Sequence, residues 1–181
     1  MDILDDELVR PVRGRFLHWR EFMEDNVTFN FTDSKWHTTT HCARVLLLSQ
    51  VIGHALGVED QGLDALAAAS VFHDSRRAND GYDVGHGLRA AAYYEEFCAE
   101  GDLGFDRRVA TIMAYHDHND VLGIEHCEAV SDDCAGLYCI FKDSDGLDRL
   151  RLGPTWLDPN RLRTDLAPKL IDFENRLLAS M

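Results

Sequence analysis

The chain has 181 residues, 45% of them hydrophobic, which suffices for one domain with a sizeable core and leaves little for a second. Its 32 acidic residues against 18 basic ones give a formal charge of -14. Such a chain repels long polyanions, so extended nucleic acid is a poor partner, whereas a small phosphorylated ligand fits once a divalent metal and a few arginines reverse the potential locally.

The N-terminal stretch MDILDDELVRPVRGRF carries acidic residues early and no long apolar run, unlike a signal or transit peptide. From Arg13 to Asp25, Phe16, Trp19, Phe22 and Met23 recur at helical intervals, and Asn26 to Asp33 reads as a loop. A second helix is expected from Ser34 or Thr38 to Leu56, on the stripe Val45, Leu48, Ile52 and Ala55, with Gly57 as its stop. The third, Leu63 to Asp74, is alanine-rich and runs into a polar loop from Ser75 to Gly85. His86 to Glu100 follows, with His86, Ala90, Tyr93 and Phe97 on one face and Gly101 just beyond. The fifth, Phe105 to His118, aligns Val109, Ile112, Met113 and His116. The sixth, Asp132 to Leu150, aligns Leu137, Tyr138, Phe141 and Asp145. GPTWLDP, Gly153 to Pro159, reads as a turn, and a last helix spans Asp165 to Ala179. No period-2 strand, repeat or membrane span is visible, so the expectation is a single-domain, all-α bundle of about six to eight helices over residues 1–181.

Five cysteines, Cys42, Cys98, Cys127, Cys134 and Cys139, contain no C-x-x-C pair. Their odd number speaks for free thiols in a reducing cytoplasm rather than for a disulfide framework or a zinc ribbon.

The chemistry concentrates in His41, the doublet His73-Asp74, His86, His116 and Asp145. His41, His86, His116 and Asp145 each fall on, or at one end of, the apolar stripe of a different helix, where an unpaired polar group would cost about 1 to 3 kcal/mol. A shared ion removes that cost. A lone histidine at a helix end is more often hydrogen-bonded or on the surface than a ligand; it is the set that reverses the reading. Neighbours on a helix point about 100° apart, so His73 and Asp74 reach one ion together only at a loosened helix end, or two ions if the carboxylate bridges. Two ions about 3.5 to 4 Å apart, with Asp74 between them, would employ all six residues. Asp143 competes with Asp145 but points nearly the opposite way, and Cys42 beside His41 reads as packing. His18, His37, His54, His118 and His126 lack the same combined support.

These residues resemble the HD-domain metal-dependent phosphohydrolases over about Thr38 to Leu152. The resemblance is carried by HCARVLLLSQVIG around His41, VFHDSRR around His73 and Asp74, and FKDSDGLDRLRLG around Asp145. GHGLRAA around His86 and IMAYHDH around His116 resemble the dinuclear branch of that superfamily. Membership implies a helical fold, a bridging aspartate and a metal-bound hydroxide nucleophile. The GYP signature of the cyclic dinucleotide phosphodiesterases is missing.

A nitrogen-rich ligand set suits transition metals better than magnesium, iron or manganese first, with zinc, nickel and cobalt also fitting. Arg77 and Arg76, with Lys142 and Arg149, are the candidates for holding phosphate oxygens, against ordinary surface charge as the alternative. Asp80 and Asp83 either orient a ligand or shape a turn, and Trp36, Tyr82 and Trp156 either stack on a base or pack locally. Three functions are in play: a phosphohydrolase acting on a small phosphorylated substrate such as a nucleotide, a mixed-valent diiron oxygenase on the same scaffold, and a metal- or nucleotide-binding module without turnover.

Overall fold

A computed structural model of the protein describes residues 2–181. Among the described residues eight α-helices carry the fold: α1 (Arg13–Asn26), α2 (Thr39–Ala55), α3 (Asp60–Phe72), α4 (His86–Glu100), α5 (Arg107–Tyr115), α6 (Asp120–Glu128), α7 (Cys134–Leu147) and α8 (Ile171–Ser180). No strand occurs among the described residues, and no described helix is long and apolar enough to cross a membrane.

The centre of the bundle is α2, buried continuously from His41 to Gly53 because most positions there are apolar and the polar ones, Arg44, Ser49 and Gln50 among them, find hydrogen-bond partners inside the core. A helix that is apolar all round must be covered on every side. Here α1, α3 and α7 pack against it, α4 pairs with α5, and α6 pairs with α7. The N- and C-terminal helices pack onto this core, α1 on α2 and α3, and α8 on the turn that follows α7. An ion pair at 2.9 Å between Arg176 of α8 and Asp6 joins the two ends.

Helix ends place the site. The Thr38 hydroxyl accepts the N–H of His41 at 3.2 Å, an N-cap that fixes where α2 starts and sets His41 in its first turn. Gly85, at φ 87°, is the left-handed residue before α4, a conformation costly for any residue with a β-carbon, and it puts His86 first in the helix. α3 stops at Phe72, so His73 and Asp74 lie in the turn just past it.

Several boundaries differ from expectation. The Phe105 to His118 segment is helical only to Tyr115; the chain then tightens and restarts as α6, where Asn119 accepts the N–H of Leu122. Only Gly123 and Cys127 of α6 are buried, so it shows no apolar stripe, and Gly123 is needed because a β-carbon there would meet the Tyr138 ring. The sixth expected helix ends at Leu147 and continues as a 3-10 turn, Asp148–Leu152. Pro168 keeps Ala167–Leu170 in a 3-10 turn and delays α8 to Ile171.

Candidate metal centre

His41, His73, Asp74, His86, His116 and Asp145, drawn from five segments, meet at one end of the bundle. They form two triads, His41–His73–Asp145 and Asp74–His86–His116, and within each the ligand atoms lie within 4.8 Å of one another. Asp74 joins them. Its Oδ2 is 3.4 Å from Nε2 of His41 and 3.7 Å from that of His73, while its Oδ1 is 3.1 Å from Nε2 of His86. Nε2 of His73 lies 3.3 Å from that of His41, and Nε2 of His86 lies 2.9 Å from that of His116. Donors around one ion at about 2.0 to 2.2 Å stand roughly 2.9 to 3.5 Å from each other, which is this spacing.

The tautomers are fixed from outside. Nδ1 of His73 meets the Ser70 carbonyl at 2.8 Å, that of His86 the Asp83 carbonyl at 2.7 Å, and that of His116 the Met113 carbonyl at 2.6 Å. A carbonyl only accepts, so each Nδ1 carries the hydrogen and each Nε2 presents a lone pair inward. For His41 the acceptor is Asp148, at 2.6 Å. Asp148 is fully buried and is held in turn by Arg44 and by Arg151, the latter at 3.1 Å. This outer layer is what metal-binding histidines require.

Electrostatics agree with the geometry. Burial pushes His73 down to about 4 and His116 to about 3, so both rings are neutral. Burial opposes charge on Asp74 too, but the imidazoles of His73, His41 and His86 outweigh it and hold the carboxyl well below its usual range. Asp145 is lowered in the same way, by His41, His73 and His116 against burial. His41 and His86 are raised, their carboxylate partners overcoming burial.

The cationic candidates separate. Arg77 is buried at the centre's edge, with Nη1 3.5 Å from Asp74 and 3.2 Å from Nε2 of His86, and with Nη2 donating to the Gly81 carbonyl at 2.8 Å. Arg149 is exposed, forms no ion pair among the described residues and lines two cavities beside Asp145. Arg76 is engaged elsewhere: its guanidinium lies 3.2 Å from the Tyr93 ring centre and donates to the Thr28 carbonyl. Lys142 is also spent, donating to the carbonyls of His116 and His118 at 2.5 and 3.3 Å.

Asp143 faces away, accepting the backbone N–H groups of Arg163 and Thr164. Asp80 accepts the N–H of Lys35 and approaches His37, and Asp83 pairs with Arg89 and the N–H of Ala78, so both shape loops. Cys42 is buried, and all five cysteines are unpaired. Sequence reasoning missed Asp148, although it sits one turn after Asp145, and Asp117, whose Oδ2 accepts the Gly85 N–H at 2.6 Å.

No protein-family model, curated protein or solved structure matches the chain.

Proposed function

We propose that the protein is a phosphohydrolase working through two divalent transition-metal ions on a small phosphorylated substrate such as a nucleotide. The observation that carries this reading is Asp74, whose two oxygens divide between the two triads while every facing imidazole is pinned through Nδ1. Nitrogen and carboxylate donors without a thiolate suit iron or manganese, and also zinc, nickel or cobalt. When bound, such a pair supplies a water acidic enough to attack phosphorus near neutral pH.

The chain's own residues do the rest. Asp148 holds the His41 ring in one orientation, and Arg77 places positive charge beside Asp74. Arg149, uncommitted beside Asp145, is the group available to a phosphate oxygen, and charge-assisted hydrogen bonds from a guanidinium match that acceptor. Five unpaired thiols favour a reducing compartment, the cytoplasm, as the place of work.

The test is elemental analysis of protein purified without chelator, followed by phosphate-release assays on nucleotides and phosphate esters. The expected content is two divalent ions per chain. His73→Ala combined with Asp74→Ala should abolish metal retention and hydrolysis while circular dichroism stays helical. Unchanged metal content in that variant overturns the centre. Oxygen consumption by the iron-loaded protein without phosphate release would replace hydrolase by oxygenase.

A further inference from the structure

We propose that the substrate is a phosphodiester with two unlike arms, one aromatic and one hydrophilic, cleaved where two cavities meet; this rests on the phosphohydrolase reading. Access to the centre is one-sided. The Asp145 side chain is 31% exposed, whereas the other five ligands are buried. Asp145 lies in the wall of two cavities, of about 850 and 580 Å³, which also share Arg149 and Trp156. A phosphorus atom at that junction has room for a substituent on each side, while a phosphomonoester would leave one cavity unused.

The two cavities differ in chemistry. Among the described residues four aromatic side chains are strongly exposed: Trp36, Tyr82, Phe105 and Trp156. All but Phe105 line the smaller cavity. Exposed aromatics gathered in one cleft are a stacking platform for a planar ring, and every nucleobase or aryl group has such a face. The larger cavity instead presents Asn119, Asp120, Asn160 and Arg161, donors and acceptors suited to a hydroxylated arm such as a sugar.

Charge points the same way. Of the cations lining the two cavities, Arg151 is bound to Asp148, Lys142 to two carbonyls, Arg163 to Asp120 and Asp143, Arg77 to the Gly81 carbonyl and Asp74, and Arg161 pairs with Asp158 at 3.8 Å. Only Arg149 among these is uncommitted. One free guanidinium complements the single negative charge of a diester, whereas sites for dianionic monoesters call for further donors. In the reaction, water oxygen bonds to phosphorus and the bond from phosphorus to one arm's oxygen breaks. That oxygen leaves as an alcohol or phenolate, the proton lost by water passes to it or to solvent, and the other arm departs as a phosphomonoester.

The experiment uses the full chain loaded with manganese, the p-nitrophenyl ester of thymidine 5′-monophosphate as diester, and p-nitrophenyl phosphate as monoester. The diester should be preferred by at least about tenfold in kcat/KM, the scale on which a filled pocket discriminates, and yield thymidine monophosphate without inorganic phosphate. Trp36→Ala and Trp156→Ala remove exposed rings and should each raise the diester KM about 5- to 30-fold with little change in kcat. Preference for the monoester, or release of inorganic phosphate from the diester, overturns the two-armed substrate and leaves the hydrolase reading intact. Diester preference with unchanged KM in both tryptophan variants overturns the aromatic arm. Hydrolysis of neither compound, with two metals bound, overturns both readings.

Discussion

Glu174 offers a test of the layer behind the candidate metal centre that requires no metal. It lies on α8, fully buried, with neither carboxyl oxygen accepting a hydrogen bond, and it faces Asp148 with Arg44 and Arg151 nearby. Burial, and then the negative charge of Asp148, push it from its ordinary 4.5 up to about 9. At pH 7 it is therefore a neutral acid whose proton faces Asp148. Because the folded protein holds this proton and the unfolded chain releases it, the folded state loses ground as pH rises from the unfolded value towards the folded one. The linkage slope is about 1.4 kcal/mol per pH unit, so between pH 6 and 8 the protein should lose roughly 2.7 kcal/mol through this group. The slope does not depend on the exact folded value so long as that value stays above 8. Glu174→Gln keeps the shape and a donor for Asp148 but cannot ionise. Urea unfolding of both proteins in chelator at pH 6, 7 and 8 isolates the effect, since His41 and His86 titrate in both and cancel in the difference. The stability of the glutamine variant relative to the parent should climb by roughly 1.4 kcal/mol per unit. Parallel profiles for the two proteins would refute a protonated Glu174.

Asp148→Asn weakens the acceptor behind His41 and should lower metal affinity about 10- to 100-fold, read by competition with a chromogenic chelator. Arg149→Ala should cut kcat/KM by roughly 10- to 100-fold, the worth of a hydrogen bond to a charged group, with no change in melting temperature. Arg76→Ala should do the reverse, costing about 1 to 2 kcal/mol in urea unfolding through loss of its Tyr93 and Thr28 contacts while kcat/KM stays the same. Gly87→Ala would drive a β-carbon into the Met113 carbonyl and within 2.9 Å of Nδ1 of His116, forcing α4 away from α5. It should therefore lower the metal content from two ions towards one, and two tightly held ions in this variant would deny that the close approach of α4 to α5 sets the second triad.

Much of the site was readable because its ligands interrupt apolar stripes. His116 extends Val109, Ile112 and Met113, and Asp145 extends Leu137, Tyr138 and Phe141, so a polar group is visibly placed where core is due. The same rule applies to Glu174, which shares a stripe with Leu170, Phe173 and Leu177, although no metal motif lies in the last helix. The cations were harder. Arg76 and Lys142 are committed to backbone carbonyls of Thr28, His116 and His118, and any residue can supply a carbonyl, so no side-chain pattern announces such a partner. α6 escaped because its buried positions, Gly123 and Cys127, are small, and a helix leaning on its neighbour through small residues leaves almost no periodic signal.

Asp148 ties the two halves of the site together. One of its oxygens takes the Nδ1 hydrogen of His41, and Arg151, which donates to Asp148, also donates through Nε to the main-chain carbonyl of Trp36 at 2.9 Å. A single buried carboxylate thus sets the orientation of a candidate metal ligand and, through one guanidinium, the position of an aromatic wall of the cleft. Glu174 closes the arrangement from α8, so the C-terminal helix bears on the centre without touching a metal ligand. Partial opening of α8 should therefore weaken metal retention and cleft geometry together, whereas opening of α1, which contributes nothing to this network, should leave both in place. Hydrogen exchange of the α8 amides with and without manganese would decide it: protection gained in α8 and not in α1 follows from the linkage through Asp148, and equal changes in both helices would contradict it.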